Sequence, residues 1–238
     1  MHHLHRRPGL MLLLLGAGLL SCGLINANIF DTEIRLSRQV YSQDFGKAAG
    51  TVPKVPCSAQ TDLCQQVTSA LQGAPAKGLC DLSTMLCVAE ASVTLPYTVN
   101  LSQDQAFQSG VAGKAVQFVR SVAIDYSLPT NTLTFPLPAI EVYVGPQDAT
   151  TKTHPGVVLI GTIGPFARAQ TISDSAPLTL AIADGSPARA KLEASIKNPK
   201  VPFVFLIAAT PRMASGDELP AGKLELHIFP RITVGLPR

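Results

Sequence analysis

Five cysteines hold most of the reactive chemistry in this 238-residue sequence: Cys22, Cys57, Cys64, Cys80 and Cys87. The last four form two pairs, each with six residues between its members. Two chemistries use cysteines grouped like this. Structural zinc takes thiolates, but its knuckles space their ligands by two to four residues. Disulfides need no fixed spacing and persist in oxidising compartments outside the cytosol. The spacing favours disulfides over zinc, provided that the chain is exported.

Other reactive groups are sparse. Beyond the first 22 residues there are two histidines. His154 precedes a proline in a polar turn, and His227 stands between Leu226 and Ile228, where alternation predicts a solvent-facing strand position. Two remote histidines make neither a metal cluster nor a Ser-His-Asp site. Gly161 and Gly164 read as strand-end glycines, and no phosphate loop, nucleophile elbow or calcium loop is present. Asp174 between two serines, Asp184-Gly185 and Asp217-Glu218 read as turn chemistry. Tryptophan is absent and aromatics are 5%, which argues against a sugar-binding platform. No residue is expected to be catalytic, and no cofactor or metal is expected.

The elements that would position these groups begin with a leader. Arg6 and Arg7 precede an apolar run from Leu10 to Leu20. Eleven residues are too few to cross about 30 Å of hydrocarbon as a helix, so residues 1–21 read as a signal peptide. The run ends Leu19-Leu20-Ser21-Cys22. This resembles the lipobox of bacterial lipoproteins, with Leu19 three before the cysteine and a small residue just before it. The resemblance implies acylation of Cys22 (diacylglycerol plus an amide-linked chain such as palmitate), which anchors stably where one chain would not. Gly23 rather than an aspartate after the cysteine implies sorting to the outer membrane, facing either the periplasm or the cell surface. Leu20 is larger than is usual at its position, which leaves ordinary signal-peptidase cleavage as the alternative.

A lipid on Cys22 accounts for the odd cysteine and leaves four for two disulfides. Three connectivities are open. TDLCQQVTSALQG, 61–73, has a helical pattern with Thr61 as cap, Leu63, Val67 and Leu71 on one face, and Gly73 as stop. A helix from Cys64 to Gly73 climbs about 13 Å, which an extended return covers in about four residues. A return starting near Lys77 then reaches the level of Cys64 at Cys80. That favours a nested pairing, Cys64–Cys80 with Cys57–Cys87, stapling a loop-rich appendage.

Composition supports a strand-rich body. Hydrophobic residues are 46% and charged residues 15%, with 19 prolines and 18 glycines. Loss of the leader leaves 17 basic residues against 16 acidic ones and no basic block, so nucleic-acid binding has no electrostatic footprint. Residues 22–29 form a tether, and 30–45 read as one strand in which Phe30, Thr32, Ile34 and Leu36 alternate with polar neighbours. A Cys-rich insertion occupies about 52–88. Alternation resumes in Val93 to Leu101 and in Val116 to Tyr126, with Arg120 and Asp125 marking departures from it or the opposite face. Further strands are expected around Ile140 to Val144 and over 156–163, 177–183, 201–209 and 223–236. One helix is marked by Ser186 as cap, Pro187, Leu192, Ile196 and the Asn198-Pro199 stop. Pro230 inside the last strand predicts a bulge or an edge.

The expected fold is mainly β: an antiparallel β-sandwich over 30–238 with one or two short helices and the disulfide-stapled appendage. The stretch NPKVPFVFLIAATPRMASGDELPAGKLEL faintly resembles the late-embryogenesis-abundant-like sandwich domain, in which an Asn-Pro opens a strand pair that closes with a glycine-bearing turn. Here Asn198-Pro199 follows a helix instead. The resemblance implies sandwich architecture only.

Function is expected to be non-catalytic: a membrane-anchored binding or assembly module of the bacterial cell envelope, with an envelope protein as partner. The alternative is a carrier of a lipid or another apolar ligand. A cavity of several hundred cubic ångströms would mark the carrier. A filled interior with an exposed apolar or edge-strand patch would mark the docking module.

Overall fold

The computed structural model of the chain describes residues 29–46, 50–58, 64–68, 76–218 and 221–238. The leader, Cys22, the tether up to residue 28 and most of the helix expected over 61–73 lie outside the described residues. The part inside them is a helical turn, α1 (Gln65–Thr68), with Val67 fully buried.

Two antiparallel sheets face each other, as expected for the sandwich. The first is built on β12 (Lys223–Pro237). One flank of β12 pairs with β1 (Ile29–Arg35) and β2 (Gln39–Asp44), and the other with β6 (Phe118–Asn131), which carries β9 (Leu178–Ala181). The second sheet runs β5 (Val93–Val99), β10 (Phe203–Ala209), β7 (Ile140–Pro146), β8 (Val158–Ile163). Side chains alternate along each strand, so every second residue enters the space between the sheets. Ile34, Val122, Ile124, Ile228 and Ile232 enter from one side, and Val142, Val144, Phe205 and Ile207 from the other. β10 is also covered on its second face, where Val204 and Leu206 pack with Ala149. That double burial explains its unbroken apolar run.

The single strand expected over 30–45 is two. β1 and β2 lie end to end on one flank of β12, and the break falls at 36–38. Pro230 lies opposite that break, where its carbonyl accepts from the Leu36 N–H at 2.8 Å. A central strand tolerates a proline here because the interruption is in its neighbour, not in β12 itself. The β6–β12 ladder does have register shifts, but they fall at Glu225/His227 and Thr233/Val234. The second shift resets the alternation in β6, so Val119 and Val122 are both buried.

Two helices cover the sides of the sandwich. α3 (Pro187–Lys197) has the predicted caps: Ser186 Oγ accepts from the Arg189 N–H at 3.1 Å, and Leu192 and Ile196 enter the core. α2 (Gln105–Val111) was not expected, since only Phe107 and Val111 mark its buried face. Asp104 caps it, with one oxygen on the Phe107 N–H (2.8 Å) and the other on the Ser37 N–H (3.0 Å) in the β1–β2 break.

The appendage is more ordered than a loop-rich insertion. β3 (Ala76–Asp81) and β4 (Leu86–Ala91) form a hairpin, and β11 (Arg212–Met213) joins it from the turn before β12. β4 leads directly into β5, while β11 follows β10, so the small sheet is a bent continuation of the β5–β10 pair. It has its own core of Val52, Val67, Ala89, Ala91, Met213 and three of the half-cystines.

The disulfides are Cys57–Cys80 and Cys64–Cys87, with Cα atoms 5.7 and 5.2 Å apart, not the nested pairing. The hairpin is the reason. It sets Cys80 directly opposite Cys87, and Gly78 opposite Ala89. Cys64 rests on Gly78 rather than level with Cys80, and its sulfur meets Cys87 on the neighbouring strand. Cys57 donates its N–H to the Met85 carbonyl (3.0 Å) near the hairpin turn, which leaves Cys80 as its partner.

Candidate functional site

Two places concentrate unusual chemistry, on opposite faces of the larger sheet. The first is on its outer face. In β12 the residues between the core positions are Glu225, His227, Phe229, Arg231 and Thr233, and β6 adds Asp125 and Ser127 beside them. His227 is buried at 4% exposure, which corrects the solvent-facing expectation. Its cover is Asp174, in a turn whose neighbour Ile172 bridges to Leu128 on β6. Both Asp174 carboxylate oxygens lie at 2.9 and 3.0 Å from His227 Nδ1, and Glu225 Oε1 lies at 2.7 Å from Nε2. Ser127 Oγ donates to Asp174, and Arg38 Nη1 approaches the same carboxylate at 3.3 Å. The hydrogen bond from Ser127 holds the Asp174 carboxyl below the usual carboxylate range. Burial opposes this, and His227 and Arg38 reinforce it.

This row contains a serine, a histidine and an aspartate, but not in the order that activates a nucleophile. In a catalytic triad the serine hydroxyl faces the imidazole nitrogen that is turned away from the acid. Here Glu225 takes that nitrogen and Ser127 bonds to the acid instead. The row pins the 172–176 segment onto the sheet. Asp174, read from sequence as turn chemistry, thus has a long-range role. Nothing local in the turn composition of RAQTISDSAPL distinguishes it, because its partners lie about fifty residues or more away in the chain.

Next to it, Asp125 is a buried acid. Burial pushes its carboxyl up. Hydrogen bonds from Thr179 (2.6 Å) and Arg231 (3.1 Å), with the charges of Arg231 and Arg35, outweigh burial and leave it below the usual range. Asp125 lies on the face opposite the core, one of the two readings its place in the alternation left open.

The second place is apolar. Between the sheets, where β2 faces β5, a cleft of about 40 Å³ opens toward the appendage. Tyr41, Phe45, Leu95, Ile140, Ile207 and Leu226 wall it, with Gln43 the one polar side chain on its rim. Tyr41, in its wall, meets Tyr97 of β5 with ring centroids 6.0 Å apart. Burial, and then the proximity of Tyr97, pushes the Tyr41 phenol well up from its ordinary value, so it stays neutral. Tyr97, from the alternation noted over Val93 to Leu101, is 36% exposed rather than buried.

The cysteines bring Sγ atoms of Cys57, Cys64 and Cys87 within 4.8 Å of one another, a consequence of the two adjacent disulfides. His154 is remote from both places; it lies 3.6 Å from Asp148 and contacts the Pro155 carbonyl. Among the described residues no helix is long and apolar enough to cross a membrane.

No protein-family model matches the chain, and no curated protein matches it. Solved structures that overlap it include the decameric BFDV capsid protein, at 7% identity and TM-score 0.35, over 88% of this chain and 99% of that one. Desmodium yellow mottle tymovirus overlaps at 10% identity and TM-score 0.29, over 100% and 93%. Carbohydrate-binding modules of the β-sandwich superfamily overlap at 10% identity and TM-score 0.22, over 84% and 54%. Likenesses at this level carry no argument about what the chain does.

Proposed function

We propose that this chain is a non-catalytic lipoprotein of a bacterial cell envelope, anchored through Cys22 at the outer membrane, whose sandwich docks a partner protein. The carrying observation is the apolar cleft between the β2 and β5 edges. Small-molecule and cofactor sites usually enclose about 300 Å³ or more, and a cleft of about 40 Å³ is far below that. This favours docking over the carriage of a lipid. An apolar rim at an unpaired sheet edge is what a protein partner covers.

Two measurements test the reading. Intact mass of the protein extracted from membranes should show a diacylglyceryl and an acyl chain on an N-terminal Cys22, and Cys22→Ala should release the chain to the soluble fraction. An unmodified terminus ends the anchor reading. A photo-crosslinker replacing Tyr97, the exposed neighbour of Tyr41 in the cleft wall, should give one discrete adduct in living cells, while one replacing Leu159 on β8 should not. Equal labelling at both positions ends the docking reading.

A further inference from the structure

The edge of β2 is built to accept another strand. Phe45 donates its N–H to the Gly222 carbonyl at 3.0 Å, on the β12 side. In an antiparallel ladder alternate residues point their main-chain groups to opposite sides. Tyr41 and Gln43 therefore also turn theirs toward β12, and Val40, Ser42 and Asp44 turn theirs outward. Those three residues are exposed, and β2 has no other ladder partner among the described residues. The facing edge, β5, carries Pro96, the kind of residue that blunts an edge. β2 carries none.

We propose that β2 takes an extended segment of a partner protein as an added antiparallel strand, with apolar side chains at every second position entering the cleft. The proposal rests on the docking reading and names the partner's chemistry. The N–H groups of Val40, Ser42 and Asp44 and the carbonyls of Val40 and Ser42 supply the hydrogen bonds, the Asp44 carbonyl being reached by Gln43 Nε2 at 3.4 Å, and the apolar walls select the alternation. The chain's own tether is not the occupant. β1 starts at Ile29, opposite Pro237, whereas β2 starts opposite Ile228, nine residues along β12 or about 30 Å away. The residues from Cys22 to Asn28 extend to at most about 25 Å. β12 spans about 45 Å in all, so a tether at the Pro237 end holds the β2 edge away from the bilayer. That directs the cleft toward protein rather than lipid.

The test is amide exchange on the full chain with a defined probe, a nine-residue peptide alternating valine and threonine between terminal lysines. It should slow exchange of the Val40, Ser42 and Asp44 amides at least about tenfold, and a peptide of the same composition with its valines grouped should not. Ser42→Pro removes an outward N–H without touching the β12 ladder, and should weaken binding at least about tenfold with the fold retained. Unchanged exchange at these amides overturns strand addition, whether or not the variant folds. If the Tyr97 crosslink survives in Ser42→Pro, docking stands and strand addition falls; if no crosslink forms in either protein, docking itself falls. Protection of the same amides without peptide, at twice the monomer mass, assigns the edge to a second copy and overturns the proposal.

Discussion

Gly78 lies directly beneath Cys64: a Cβ built on it would stand 1.7 Å from the Cys64 carbonyl oxygen. The contact is main chain against main chain, so no side-chain rotation relieves it. It fixes the height of α1 over the hairpin and, with it, which cysteine each sulfur meets.

Gly78→Ala is therefore expected to destabilise the appendage by at least about 2 kcal/mol and to scatter the disulfide pairing. Peptide mapping without reduction should yield Cys57–Cys80 and Cys64–Cys87 in the parent and mixed linkages in the variant. A single native pairing with unchanged thermal stability in the variant would contradict the packing described for Gly78.

Acid should weaken the fold through Asp125 and Asp174. Both carboxyls sit below their ordinary range in the folded chain. On acidification the unfolded chain binds the proton first, so stability is full above about pH 4 and falls as pH drops through the native values. Urea midpoints measured from pH 7 down to 2 should show that decline, and Asp125→Asn should flatten it while lowering the midpoint at pH 7. A midpoint in Asp125→Asn that follows pH as the parent does would remove Asp125 from the account.

Ser127→Ala tests the hydrogen bond that dominates Asp174. Its loss should raise the Asp174 titration, read by carbon NMR of the carboxyl group. The 172–176 segment should also exchange its amides faster. If Asp174 titrates as before, His227 and Arg38 hold it and Ser127 does not.

Asp104→Ala should cost about 1–2 kcal/mol, because one carboxylate caps α2 and also satisfies Ser37 in the β1–β2 break. Asp104→Asn keeps an acceptor oxygen for one of these contacts and should recover part of the loss in urea denaturation. Equal losses in the two variants would show that a single acceptor does not suffice.

Much of the sandwich was legible because its code is local. Alternation located most strands of both sheets, and Ser186, Pro187 and Asn198 bracketed α3. What stayed hidden depends on distant partners. His227 looked solvent-facing because Asp174, which buries it, lies far away in the chain. The break in the first strand is set by Pro230 and Asp104 rather than by residues 36–38 themselves. The β3–β4 hairpin is short of branched residues, and Gly78 is there for the close approach of Cys64 rather than for the ladder. Of the candidate site, Val93, Leu95 and Tyr97 were visible as an apolar stripe, but nothing in them told a cleft from a packed core.

The position of β12 also governs when the molecule can form. Its partners β1 and β2 come from the start of the described chain, so the larger sheet joins segments separated by nearly the whole sequence. Pairings of such long range fold slowly. Until residues 223–237 are in place, neither β1 nor β2 has its ladder partner, and the β6 edge that β12 covers stays open. The smaller sandwich sheet, β5-β10-β7-β8, needs nothing beyond residue 209 and can close first, so the larger sheet is the last part of the sandwich to be completed.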